Sequence, residues 1–478
     1  MNPLYSEFKR KFALSMYKNR GIPMGEMSFL KDFVNDTRGD PYPLIEKSKG
    51  CTETVADGRY RLSGGAAERV FCQLFPFATY EVTAERISGE VGFVFRLPSA
   101  AATLTLVFEG GDRYVSYRCE NRAESFPLPE DVEEASPFLV TLRPGFFDLY
   151  TRKNGAARFL FSVKEPLFGE SNRYRIFRDA NVSLYARGEI EVKSVTATLD
   201  NGVSIADFRP IRYEDGTVIT EGGKVYFTAS IRAHADNYQA IFSWVPGTAQ
   251  LEMTGALFFD CGDGFWRGYV ASVLLYHRQA KKWYVWTSSF AHAHILAYGE
   301  FEGDPRFGIN VADVRLMEES RGDDITEFAG FFRDEDPDLV YDAKTDRWLL
   351  AICRIDKTTD KYVYVFFASK DPFHGFRYIG RGAEGASETG GVFLRLGDEL
   401  FFACGNAFDR RSEYRIYSKD GMREAKFRYP DGGFRGWGCV IPVTQGSRRR
   451  LFWLTFDRHN GSDYNWSYGN FYCFEAEE

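Results

Sequence analysis

Five times after residue 205 the chain repeats one pattern: a short apolar run, a polar turn, and a second apolar run. The clearest copy is the hairpin around Tyr341 to Trp348 (YDAKTDRW), whose spacing recurs in Tyr276 to Trp283 (YHRQAKKW). Further copies are Ile219 to Ala229 (ITEGGKVYFTA), Phe393 to Ala403 (FLRLGDELFFA) and Val443 to Thr455 (VTQGSRRRLFWLT). Strand-like segments follow each copy, and the copies start roughly 50 to 60 residues apart, the repeat length of four-stranded propeller blades. One hairpin cannot bury both of its faces, so a recurring hairpin implies blades stacked on one another. The pattern predicts a five-bladed β-propeller over residues 204–478 in an all-β chain.

Upstream the pattern changes to short alternating strands with Gly110-Gly111 and Asn154-Gly155 turns, the signature of an antiparallel sandwich. Residues 51–203 are assigned to it. The phrase YEVTAERISGEVGFVFRL, followed by LTLVFEGGDRYVSYRCEN, resembles jelly rolls of the concanavalin-like or laminin-G-like kind. That resemblance implies either a sugar-binding surface or a brace for a catalytic domain. Residues 1–50 are expected to pack on the domains, with a short amphipathic helix over Pro3 to Met16.

Sixty Lys and Arg against 67 Asp and Glu leave a net charge of -7, which argues against nucleic acid or an anionic membrane as partner. The eight cysteines form no Cys-x-x-Cys pair, and Cys353 and Cys404 lie inside apolar runs, so buried free thiols are expected. The first residues lack a signal-peptide core and no stretch approaches a membrane span, so a cytoplasmic protein is expected.

The candidate chemistry sits at the mouths of the repeated hairpins. Asp336-Pro337 stands at a strand start, where the proline fixes φ and removes a donor. Asp336 lies five residues before Tyr341, and Glu388 lies five before Phe393, so the two are read as equivalent blade entries. Blade one offers Glu214 or Asp215 at nearly that offset and Asp207 a little earlier, while Ala271 and Gly438 fill the position in blades two and five. Equivalent entries of a propeller converge on its axis, so these acids are expected to share one funnel. Arg209, Trp266, Arg267 and Trp437 are candidate walls of that funnel. His292 and His294 alternate in SFAHAHILAYG and are candidates for contact with sugar hydroxyls. A zinc site needs a third ligand that the sequence does not offer.

Several carboxylates with Trp and Arg in one funnel suit hydrolysis of a glycosidic bond. One acid protonates the leaving oxygen, a second carboxylate activates water or attacks, and aromatic rings stack on the sugar. The chain resembles the five-bladed propeller glycoside hydrolases, above all families 43, 32 and 130. In family 43 a blade-one acid is the base, an aspartate in an Asp-Pro context tunes pKa, and a glutamate preceding Gly or Pro is the acid. By context Asp336-Pro337 and Glu388-Thr389-Gly390 match the last two, whereas Asp207 is followed by Phe208-Arg209-Pro210. The resemblance implies a carbohydrate substrate and no required cofactor, and a structural calcium or other ion in the propeller channel is compatible with it. The rival readings are a non-catalytic carbohydrate-binding protein and a glycoside phosphorylase or lyase on the same fold.

Overall fold

The computed structural model describes residues 3–14, 21–27, 29, 42–200, 204–232, 234–289, 294–317, 331–383, 387–406, 414–428, 435–445, 448–457 and 471–477. Among them, five antiparallel blades follow one another in the second half of the chain. Their first strands are Ser204–Pro210, Val270–His277, Phe331–Asp342, Glu388–Leu396 and Arg435–Gln445. Each of these touches the next in order, and the first also touches the fifth, so they form a closed ring of inner strands. The hairpin repeat has a physical basis: Tyr276 pairs with Trp283 and Tyr341 with Trp348 directly across their ladders. Their rings stand 5.1 and 5.4 Å apart, within the range of favourable aromatic pairs.

Blade one departs from the expected hairpin. Its inner strand, Ser204–Pro210, pairs with Lys224–Arg232, and residues 211–223 form an excursion between them. Within the excursion Thr220–Glu221 pairs with the start of Lys224–Arg232 and the Ile211 N–H donates to the Tyr226 carbonyl at 2.9 Å, so Ile219 to Ala229 is a short hairpin outside the ring of inner strands.

The N-terminal segment also differs from expectation. Glu7–Leu14, predicted as helix, is a strand that pairs antiparallel with Phe471–Glu477 and parallel with Lys426–Arg428. A helix this short is marginal in water, whereas the edge of blade five offers a complete ladder. Phe8 is fully buried there against Phe427 and Trp453. Blade five thus takes strands from both ends of the chain, and the ring is stitched together by that pairing.

The upstream region is one twelve-stranded antiparallel sheet wrapped around a shared apolar core. Runs that alternate as separate short strands merge into three long ones, Arg59–Gln73, Thr79–Leu97 and Asn181–Leu199. Where the last two cross, Gly89 meets Gly188, and a Cβ on Gly89 would lie 2.0 Å from the Arg187 carbonyl oxygen. Close backbone approach therefore requires glycine at that point. Two strands of the first fifty residues, Ile22–Glu26 and Leu44–Lys47, join this sheet. Its core runs on into blades one and five. All eight cysteines are free thiols.

Candidate active site at the blade entries

All five inner strands carry the same irregularity. In each, two residues oppose one on the neighbouring strand: 207–208, 271–272, 336–337, 390–391 and 437–438. The first residue of the bulge has positive φ in four of them, Asp207 at 54°, Ala271 at 56°, Asp336 at 47° and Gly390 at 59°. Bulges of this kind re-aim side chains next to functional sites. Non-glycine residues in this conformation cost about 1–3 kcal/mol and persist where the surroundings over-determine them.

The register corrects the expected equivalence of Asp336 and Glu388. Asp336 is level with Gly390 and with Asp207, and Glu388 precedes its bulge by two residues, level with Asp334. Extended residues alternate in direction, so Glu388 and Thr389 point to opposite faces. Thr389 Oγ1 donates to Asp336 Oδ2 at 2.7 Å, as does the Gly390 N–H at 3.2 Å. The Glu388 carboxylate points instead to Tyr417, whose hydroxyl donates to Oε1, and to Arg415 at 3.7 Å. Gly382 makes room for it, since a Cβ there would lie 2.1 Å from Glu388 Oε2. Glu388 is fully buried, and that burial raises its pKa against the opposing pull of Tyr417 and Arg415.

Asp207 and Asp336 are electrostatic neighbours. Both are buried, 4% and 7% exposed, and burial, then the nearness of Asp336, raises the pKa of Asp207. Serines on the second strands hold the bulges in place. Ser230 Oγ accepts from the Ala271 N–H and hydrogen-bonds Asp207, while Ser288 Oγ accepts from the Asp336 N–H. Arg209 is wholly buried close to this pair, with Nη1 donating to the Phe208 carbonyl and Nε and Nη2 without partners among the described residues. Burial works against its cation, but Tyr364, Asp336, Asp338 and Asp207 together hold its pKa above the ordinary value.

A third carboxyl stands at the same place, and its only trace in the sequence is the acidic cluster before Pro337. Glu335 lies within electrostatic reach of both Asp336 and Asp207, hydrogen-bonds Tyr362, and has Oε1 2.9 Å from His294 Nδ1. Burial, then Asp336, pushes its pKa up to about 8. Burial and Arg333 lower that of His294.

The other expected site residues lie elsewhere. Glu214 and Asp215 pair with Arg278, and the Glu214 carbonyl accepts from the Tyr341 N–H at the far end of the blade-three inner strand. Five residues separate Tyr341 from Asp336, roughly 16 Å at about 3.3 Å per residue. The excursion of blade one carries Glu214 and Asp215 to that opposite end. Trp266 stacks on Tyr174 and packs against Phe75 and Phe177 between the upstream sheet and blade one. Arg267 pairs with Asp263 and covers Phe265. His292 and the side chain of Trp437 lie outside the described residues. Among the described residues no group of three His, Cys, Asp or Glu side chains stands close enough to hold a metal ion.

No protein-family model and no curated protein sequence matches the chain. Among solved structures it is similar to an α-L-arabinofuranosidase from Podospora anserina, at 12% identity and TM-score 0.40 over 57% of this chain and 90% of that one. It is similar also to an α-L-arabinofuranosidase from Lactobacillus brevis, at 14% identity and TM-score 0.40 over 58% and 91%. A thermostable family-43 glycoside hydrolase matches at 11% identity and TM-score 0.38 over 57% and 89%. The chain is a nearly all-β protein whose inner strands form a ring of five blades. At such identities the likeness concerns architecture alone, and the chemistry rests on the residues of this chain.

Proposed function

We propose that the protein hydrolyses glycosidic bonds, with a carbohydrate bound where the inner strands begin. The observation that supports this reading is the buried pair Asp207 and Asp336, set by matching bulges beside the cation of Arg209. Asp207 is the base that takes a proton from water, made more basic by burial. Asp336 is the neighbouring carboxylate that tunes it. The proton donor is drawn from two carboxyls whose surroundings favour the acid form, Glu388 and Glu335. These proton transfers need no cofactor.

Aryl glycosides and short oligosaccharides, incubated with the wild type, D207N and D336N, test the reading. Cleavage by the wild type and loss of about 10²-fold or more in each variant is expected, the scale of lost acid–base catalysis. Full activity in both variants, or no cleavage by the wild type across the panel, overturns it.

A further inference from the structure

Glu335 and Glu388, the two glutamates near the blade entries whose pKa is raised, differ in where their oxygens stand. The Glu388 side chain is fully buried on the face of its strand turned away from Asp336, engaged by Tyr417 and Arg415. The Glu335 side chain is 16% exposed and its partner His294 26%, so this pair reaches solvent within electrostatic reach of Asp336 and Asp207. His294 is fixed to blade three as well, its carbonyl accepting from the Asp334 N–H at 2.8 Å. Arg209 brings donor nitrogens without partners among the described residues, wholly buried, close to the same aspartates, which is what a site that takes up a polar ligand or water requires.

From this geometry we infer that Glu335, positioned by His294, is the group that touches the substrate and protonates the departing glycosidic oxygen. The inference rests on the hydrolase reading above. In the step, the bond from the anomeric carbon to the leaving oxygen breaks and that oxygen takes the Glu335 proton. A water oxygen bonds to the anomeric carbon and gives its proton to Asp207. Exchange with solvent returns the proton from Asp207 to Glu335, and the net change is addition of one water.

The charged and titratable groups facing Glu335 are Asp336 and Arg333 on its own strand, Asp207 from blade one, His294 from blade two, and Tyr362 and Cys353 from the next strands of blade three. The negative neighbours and burial keep the proton on Glu335 at neutral pH, where a general acid needs it.

The test compares E335Q and E388Q on one glycoside with a poor leaving group and one with an activated aryl leaving group, across pH 5 to 10. In E335Q the rate on the poor leaving group is expected to fall about 10²- to 10⁴-fold, with a much smaller loss on the activated one. The wild-type decline of kcat/KM at alkaline pH is expected to disappear with it. If E335Q fails to fold, Glu335→Asp keeps the acid on a shorter arm and is expected to lose rate on the poor leaving group while retaining the alkaline decline. An unchanged rate in that variant overturns the inference. So does an equal loss on both substrates in E335Q, or the leaving-group pattern arising in E388Q instead. A wild type that cleaves neither substrate removes the hydrolase reading itself, which distinguishes that failure from a misassigned donor.

Discussion

Asp207 and Asp336 hold the same place in two blades: each opens the bulge of an inner strand with positive φ, and each is followed two residues later by a residue that resumes the ladder. Gly390 takes this conformation in blade four without a side-chain penalty. Aspartate in its stead stores strain and brings two carboxylates into a buried site, a combination found where function is selected over stability.

That trade is testable at Asp207. Its raised pKa means that ionising it costs folding free energy, a cost absent below the unfolded pKa and fully present once pH exceeds the folded value. D207N is therefore expected to melt no lower than the wild type at pH 8 while losing catalysis. A marked loss of melting temperature at pH 8 would show that the ionised aspartate stabilises the fold.

Glu335 gives a pH dependence with a defined window. Its pKa rises from 4.5 to about 8, so the stability it contributes is present below pH 4.5 and is lost as pH rises to about 8. Glutamine mimics the protonated acid. The unfolding free energy of E335Q relative to the wild type, followed by denaturant titration, should climb between pH 5 and pH 8.5 by on the order of a few kcal/mol at most. A difference that stays flat over that range would place the Glu335 pKa outside it.

Arg212 and Asp338 form a wholly buried ion pair of 2.6 Å that ties blade one to blade three, with Arg212 also donating to the Phe393 carbonyl of blade four at 2.6 Å. Removing one partner strands a buried charge. R212M is expected to cost about 3–5 kcal/mol in denaturant unfolding, and R212M combined with D338L less than the sum of the single changes. Additive losses would mean that the pair is not coupled.

Closure of the ring depends on Phe8. Phe8→Ala empties a fully buried site against Phe427 and Trp453 and is expected to cost about 3–5 kcal/mol. If the N-terminal strand only decorates blade five, the variant will unfold with the wild-type midpoint.

The sequence by itself determined the inner hairpins of blades two to five, because a period-two pattern and turn chemistry are local properties; Tyr276 with Trp283 and Tyr341 with Trp348 could be matched by counting. It also marked Asp336, since Asp-Pro at a strand mouth is a local signal. Tertiary structure alone decided which acids meet. The turn joining the paired strands runs over 343–346 in blade three but only 397–398 in blade four, so matching Tyr341 to Phe393 put Glu388 level with Asp336 when the ladder puts Gly390 there. The excursion of blade one likewise sent Glu214 and Asp215 to the far end of the inner strands and left Asp207 at the site. Glu335 was hidden for a related reason: its proton affinity comes first from burial, then from Asp336 and to a lesser extent Asp207, and that burial exists only once the ring of blades has closed.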